Sequence, residues 1–417
     1  MSIQIASGQI DITPKRPAPL FGFAERNGDF SKVHDSLEVN LTVIKQDGTL
    51  VFLYSVDTLF VPHDMVDAVV KEYGNEFGFE GKDVWMMASH THFAPALDKT
   101  KPGLGMFNED YYNQTLQSIL ELTKQVLETS FKTVTIEYGT GRSKLNVNRR
   151  KKLLRPGGQL GLFWKTLIYP DHEGAKDDTI HFLKFIDDDG NLEAVLWNYA
   201  CHPVGFANRN EASAEFPGLI RERIRTSTNN ETLPVLFTIG FAGDIKPDVT
   251  AVTHTKWRDR IGYFFQLGPV YTKFPNMEYY TQWVDKLWGE CSEALNNTKA
   301  SNTRNVTNSQ VAISLSDVIG ADSDKKIYFK KLSLSDTLQI IGISEEVLIG
   351  YKPIVQEALN SSSINIGCLA GTHIYLPTDK NIKEGGYEVD LFKERFGVNG
   401  EFKTGLNELI RKTIKSL

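Results

Sequence analysis

Residues 89–92 read Ser-His-Thr-His and follow the apolar run Val84-Trp85-Met86-Met87-Ala88. Side chains alternate along a strand, so two histidines one residue apart can leave a strand end on the same side. Imidazole is the commonest side-chain ligand for zinc and related cations. The chain holds nine histidines, and the rest are scattered, so this pair marks a candidate site. His202 has a similar setting, because Cys201-His202-Pro203 follows the strand-like Trp197-Asn198-Tyr199-Ala200. A single histidine there is more often structural. Two strand exits carrying histidine shift that balance, since active sites of α/β sheets collect at strand ends. A catalytic zinc takes three or four protein ligands and keeps one position for water, so an oxygen donor is still needed. Glu345 and Glu346, after a predicted strand at 338–343, can supply it. Taken alone, an acidic pair there is more often a helix N-terminal feature, favoured by the macrodipole.

The elements that must position these residues read as α/β. Segments 36–46 and 50–56 predict a hairpin over Asp47-Gly48, a two-residue turn signal. A helix is predicted from Pro62 to about Tyr73 and a strand over 83–89. A long helix is expected at 109–130, with apolar residues at helical spacing, and a strand at 133–138. Segment 146–178, rich in Gly and Pro, reads as a long functional loop. A hairpin at 180–186 and 193–200, a helix at 216–225 and a strand at 235–239 follow. The tight loop Gly240-Phe241-Ala242-Gly243-Asp244 comes next, then a helix at 279–296. Strands at 311–315, 338–343 and 364–369 and helices at about 347–359 and 406–414 complete the pattern. The apolar-poor stretch 296–308 is the best linker candidate, but the candidate site spans it. The expectation is therefore one catalytic unit over 1–417, with internal halves at about 1–296 and 309–417 as the alternative division.

Composition narrows the class. A hydrophobic share of 41% and a net charge of −6 suit a globular protein and argue against nucleic acid as partner, which needs a concentrated basic surface. The basic run Arg149-Arg150-Lys151-Lys152 with Arg155 departs from that balance and reads first as a solvated loop, second as an anion-facing one. Three widely spaced cysteines, Cys201, Cys291 and Cys368, make neither a disulfide framework nor a thiolate zinc cluster. Neither a signal-like N-terminus nor a membrane-spanning apolar window is visible, so a cytoplasmic setting is expected. Familiar metallohydrolase motifs do not fit: there is no His-Glu-x-x-His helix. His90-Thr91-His92-Phe93-Ala94-Pro95 also lacks the Asp-His of metallo-β-lactamases.

Several ordered motifs carry a resemblance. They are Gly8-Gln9-Ile10-Asp11-Ile12-Thr13-Pro14, Phe21-Gly22-Phe23 with Arg26, Asp57, and Ala88-Ser89-His90-Thr91-His92 with Ala94-Pro95. Asn148-Arg149, Cys201-His202-Pro203, Phe216-Pro217-Gly218, the run from Gly243 to Asp248, Glu346, and Gly385-Gly386-Tyr387-Glu388 continue the series. Over about residues 5–410 the chain resembles the N-terminal catalytic domain of the neutral/alkaline, non-lysosomal ceramidases, without their C-terminal immunoglobulin-like domain. The resemblance implies an α/β fold of mixed β-sheets flanked by helices. It also implies a single Zn2+ held by His90, His202, Glu346 and Tyr387, the tyrosine as a phenolate stabilised by the cation. His92 would stand beside the metal as a substrate or proton-transfer partner, and Arg149 would face the polar part of the substrate.

One departure bears on the chemistry. The family's reactive serine lies in a run Gly-Asp-Val-Ser-Pro-Asn, whereas this chain reads Gly243-Asp244-Ile245-Lys246-Pro247-Asp248. Lys246, in the serine's place, is a base if its pKa is depressed, or a cation for a substrate carboxylate or a developing oxyanion. The expectation is a zinc-dependent hydrolase of an amide, less readily an ester, in a small polar substrate that Lys246 allows to be anionic. A zinc-activated water is the expected nucleophile, with His92 or Asp244 moving its proton. Alternatives are a ceramidase cleaving a lipid-like N-acyl-sphingosine, a non-hydrolytic metalloenzyme, and a metal-retaining binding protein without turnover.

Overall fold

The computed structural model describes residues 2–156, 161–249, 257, 261, 264–265, 274–301, 305–320 and 323–417. Its largest sheet has the order β12 (Val235–Ile239), β10 (Leu192–Tyr199), β9 (Thr179–Asp187), β6 (Lys132–Arg142), β1 (Gln4–Asp11), β3 (Glu38–Gln46), β4 (Thr49–Val56) and β5 (Val84–Ala88). A short β14 (Lys299–Ala300) pairs with β6. The β3–β4 hairpin closes as its sequence predicts: Asp47 (φ 50°) and Gly48 (φ 85°) both take left-handed backbone, the conformation whose twist matches the flanking strands. Two pairs in this sheet run parallel, β4 with β5 and β10 with β12.

Both faces of the sheet are covered, so its strands are apolar on both sides. Val39, Leu41 and Val43 of β3 share a core with Ile119, Leu122 and Val126 of the helix Glu109–Glu128 and with Ile220 and Ile224 of the helix Glu215–Thr228. Alternate residues, including Val51, Leu53, Trp85 and Met87, pack instead with Leu332, Ile340 and Ile364. Those belong to a second sheet, in the order β15 (Thr307–Ser314), β16 (Lys326–Ser333), β17 (Gln339–Ile343) and β19 (Ile364–Ile366). Beyond β19 the chain stitches the sheets together. Gly367 N donates to Ile239 O, Ala88 N to Cys368 O and Ala370 N to Met86 O, at 3.0, 3.1 and 2.8 Å. This crossing also ends the strand expected over 364–369 early.

Three smaller sheets complete the strands: β13 (Ile245–Pro247) with β7 (Asn146–Pro156) and β8 (Leu162–Asp171); β2 (Lys32–Val33) with β11 (Glu211–Ala212); and β18 (Glu346–Val347) with β20 (Tyr375–Leu376). The first corrects the sequence reading. Segment 146–178 is not an irregular loop but carries the antiparallel hairpin β7–β8. The basic run is not a solvated loop either, since Arg149, Arg150 and Arg155 are buried. Apolar alternation is missing because paired charge, not apolar area, fills this strand's inner face: Glu388 accepts from Arg149 Nε at 2.8 Å and Arg150 Nη1 at 2.7 Å.

The helix expected from 347 begins at Tyr351, because Val347 is held in β18 opposite Leu376. Strands β1 and β16 had no counterpart in the sequence reading. Of the proposed linker 296–308, residues 302–304 lie outside the described residues; Lys299–Ala300 pairs as β14. The three cysteines are buried free thiols. Among the described residues no helix is long and apolar enough to cross a membrane.

Candidate metal centre and substrate cleft

Strands β5, β10, β12 and β17 send their C-terminal ends to one place, and the segments leaving them carry His90 and His92, His202, the loop to Lys246, and Glu346. The turn after β5 is tight. His90 adopts φ +66°, a conformation an L-residue takes only where its surroundings impose it. Its N–H donates to Thr58 O at 2.9 Å.

The protonation pattern follows from the partners. His90 Nδ1 lies 2.9 Å from Leu59 O, and His202 Nδ1 lies 2.8 Å from Ala242 O. A carbonyl oxygen can only accept, so both rings donate from Nδ1 and turn Nε2 toward the site. The two Nε2 atoms are 2.9 Å apart, and Glu346 Oε2 lies 3.3 Å from one and 3.4 Å from the other. Burial, then the neighbouring His90 and Arg149, pushes the His202 pKa down to about 4. Burial alone would raise Glu346, yet the two histidines hold it well below the usual carboxylate range. Two buried imidazole nitrogens and one buried carboxylate oxygen therefore converge on one point, an arrangement that a cation there would satisfy. The donor set, two imidazoles oriented by backbone carbonyls plus one carboxylate, could hold a metal ion.

His92 completes the inner wall. Its Nδ1 donates to Gly22 O at 3.0 Å, and its Nε2 is buried without a hydrogen-bond partner. Ring nitrogens of His90, His92 and His202 lie within 4.8 Å of one another. Burial first, then His90 and His202, holds the His92 pKa well below the ordinary value. Gly22 (φ +108°) permits this contact, because a Cβ there would stand 2.5 Å from His92 Nδ1.

The acidic pair is divided by strand alternation. Glu345 turns away and accepts from His373 N and Ile374 N, both at 2.7 Å; burial raises its pKa to about 7. Glu346 faces the imidazoles. In the parallel pair β18–β20 Glu346 stands opposite Tyr375, a residue the sequence reading did not single out. The Tyr375 hydroxyl accepts from Arg149 Nη2 at 3.3 Å. Burial, and then the Glu346 carboxylate that its hydroxyl bonds, drives its pKa upward. Tyr387 packs edge-on to Tyr375 at 5.8 Å, with the Arg149 guanidinium over both rings. Burial disfavours the Arg149 charge, but Tyr375 and Glu388 more than restore it, and its pKa lies above the ordinary value.

Lys246, on β13, is buried and donates to Pro247 O at 3.1 Å. Burial is the main cause that lowers its pKa to about 8. Asp244 is occupied with structure: Oδ1 accepts from Ile349 N at 2.8 Å and Oδ2 from Asn148 Nδ2 at 3.2 Å. Burial raises its pKa to about 6.

Above the histidines a cleft opens, with about 550 Å³ of free space including its mouth. His92, Lys246, Arg149, Tyr375 and Tyr387 line it together with Arg209, Arg395 and Glu25. The sequence reading missed Arg209 and Arg395, which lie in no recognisable motif. Gly22 and Glu388 lay within quoted motifs, but spacing alone assigned them no role.

No protein-family model and no curated protein sequence matches the chain. Its fold does match solved structures. The crystal structure of neutral ceramidase from Pseudomonas aeruginosa superposes with a TM-score of 0.72 at 12% identity, covering 100% of this chain and 74% of that one. A ceramidase complexed with C2 gives 0.71 at 12% identity, with the same coverage. At that identity the likeness is one of fold, and this chain has the mixed α/β fold of those enzymes.

Proposed function

We propose that this protein is a metal-dependent hydrolase of amide bonds in a small, polar substrate, with zinc as the cation that suits its donors. The observation that carries the reading is the convergence of His90 Nε2, His202 Nε2 and Glu346 Oε2 within 2.9–3.4 Å in a fully buried site. Tyr375, tied directly to Glu346, is taken as the fourth donor in preference to Tyr387, which the reading places on the substrate side. A zinc ion held by these groups would polarise a carbonyl and lower the pKa of a water beside it.

The chain's own residues do the rest. His92, its Nδ1–H fixed on Gly22 O, offers Nε2 to take a proton from the attacking water and return it to the leaving nitrogen. Arg149, clamped by Glu388, directs its remaining N–H groups toward the substrate's polar part. Lys246, in the place of the serine, supplies positive charge rather than a nucleophile. The shared ceramidase fold supports an acyl-transfer chemistry. The charged lining, with Arg149, Arg209, Lys246 and Arg395 against Glu25, favours a polar substrate over an N-acyl-sphingosine.

Metal analysis of the purified, untagged protein together with a panel of acyl amides and esters tests the reading. About one zinc per chain is expected, lost in His90→Ala, with amide turnover that chelation abolishes and zinc restores. A protein that binds no divalent metal, or that holds zinc yet cleaves no acyl substrate, would refute it.

A further inference from the structure

Beside the metal centre, the ring of Phe23 carries two guanidinium groups. The Arg209 Cζ lies 3.9 Å and the Arg26 Cζ 4.9 Å from its centroid. Arg26 spends Nη1 on His92 O at 3.0 Å. Three nitrogens of the pair, Arg26 Nε, Arg26 Nη2 and Arg209 Nη1, are nevertheless buried without any hydrogen-bond acceptor. Buried arginine N–H groups are almost always paired, because leaving them bare forfeits their hydration. The two cations also repel each other: burial, and then Arg209, lowers the Arg26 pKa to about 9. Glu25, an exposed side chain at the cleft, opposes both charges, and buried Glu215 opposes that of Arg209. Phe23, Arg209 and Lys246 line the same cleft as His92.

We infer that Phe23, Arg209 and Lys246, which line the cleft, with Arg26 packed on the same phenyl ring, form an oxyanion-binding subsite that selects amides bearing a carboxylate, sulfonate or phosphate on one side of the scissile bond. The planar guanidinium suits such groups through paired N–H donors, and the aromatic ring beneath holds its orientation. An anion in the cleft offers Arg209 an acceptor, and its charge offsets the repulsion between the two guanidinium groups. This inference deepens the hydrolase reading and rests on it for the word substrate, but not for the binding itself.

Calorimetry on chelator-treated protein separates the two. The probes are N-acetyl derivatives of glycine, β-alanine and 4-aminobutyrate with their carboxamide counterparts, and N-acetyltaurine and N-acetylphosphoethanolamine with N-acetylethanolamine. At least one anionic probe is expected to bind tenfold or more tightly than its uncharged counterpart, with affinity falling as salt rises. Arg209→Ala should erase that preference, Arg209→Lys should keep part of it, and Arg209→Glu should reverse it, each variant being checked for native unfolding behaviour. Equal binding of charged and uncharged probes, or a preference untouched by Arg209→Ala, overturns the subsite. So does inorganic sulfate or phosphate binding as tightly as every anionic amide, which marks an ion site only. Preferred probes that bind but are not cleaved by the zinc-loaded protein would leave the subsite standing and remove the hydrolase reading.

Discussion

Glu346→Gln turns the acceptor trio into a test with opposite signs for competing explanations. Glu346 Oε2 sits 3.3 Å from His90 Nε2 and 3.4 Å from His202 Nε2, which a bound cation requires to be unprotonated. A glutamine there places an amide –NH2 where the carboxylate oxygen was, while its carbonyl oxygen still accepts from Tyr375. Two new hydrogen bonds at about 1 kcal/mol each, plus relief of a desolvated charge, predict a gain of about 1–3 kcal/mol for the chelated protein. An unfolding entropy of about 2.1 cal/mol/K per residue makes this a Tm increase of about 1–3 °C for a chain of 417 residues. With zinc present the order inverts. The wild type gains about 2.7 kcal/mol at a metal concentration a hundredfold above Kd, and the variant, lacking the anionic donor, gains little. If Glu346 were instead the counter-ion of a protonated histidine, the same change would strand a buried charge and cost about 3–5 kcal/mol. Thermal unfolding of both proteins in chelator and in zinc decides between these. A variant less stable than wild type in chelator, with no response of the wild type to zinc, would refute the metal assignment.

Gly22→Ala adds a Cβ 2.5 Å from His92 Nδ1 at φ +108°. It should lower kcat tenfold or more while leaving zinc stoichiometry unchanged, which metal analysis beside kinetics would show. Lys246→Met should exchange function for stability. The lysine pKa is near 8 in the folded chain and 10.5 ordinarily, so the folded state loses stability as pH falls from 10.5 to 8. Removing the buried charge should recover up to about 3 kcal/mol at neutral pH, read by denaturant unfolding. In the wild type, KM for an anionic amide should rise as pH passes about 8 and the Lys246 cation is lost; a KM flat from pH 7 to 9.5 contradicts this. Glu388→Gln leaves Arg149 and Arg150 without their shared carboxylate. It should cost about 3–5 kcal/mol in unfolding experiments and raise KM.

Much of this protein is written locally. The Asp47-Gly48 turn, the apolar strand ahead of His90, the histidines at two strand exits and the long helices are visible because periodicity and turn chemistry report backbone geometry over a few residues. The choice of Glu346 over Glu345 was not decidable that way. Neighbouring residues on a strand point to opposite sides, and only the register of β18 on β20, with Glu346 opposite Tyr375, settles which side meets the imidazoles. The hairpin β7–β8 escaped notice because buried Arg149 and Arg150 hide the usual apolar alternation; their partner, Glu388, lies 239 and 238 residues along the chain. Arg209 and Tyr375 belong to no motif at all. The chain alone determined the turns, the long helices and the strand exits that carry His90, His92 and His202. The tertiary structure decided which of them meet, because convergence depends on how the sheets fold over and stitch together, a relation between distant segments that local spacing does not record.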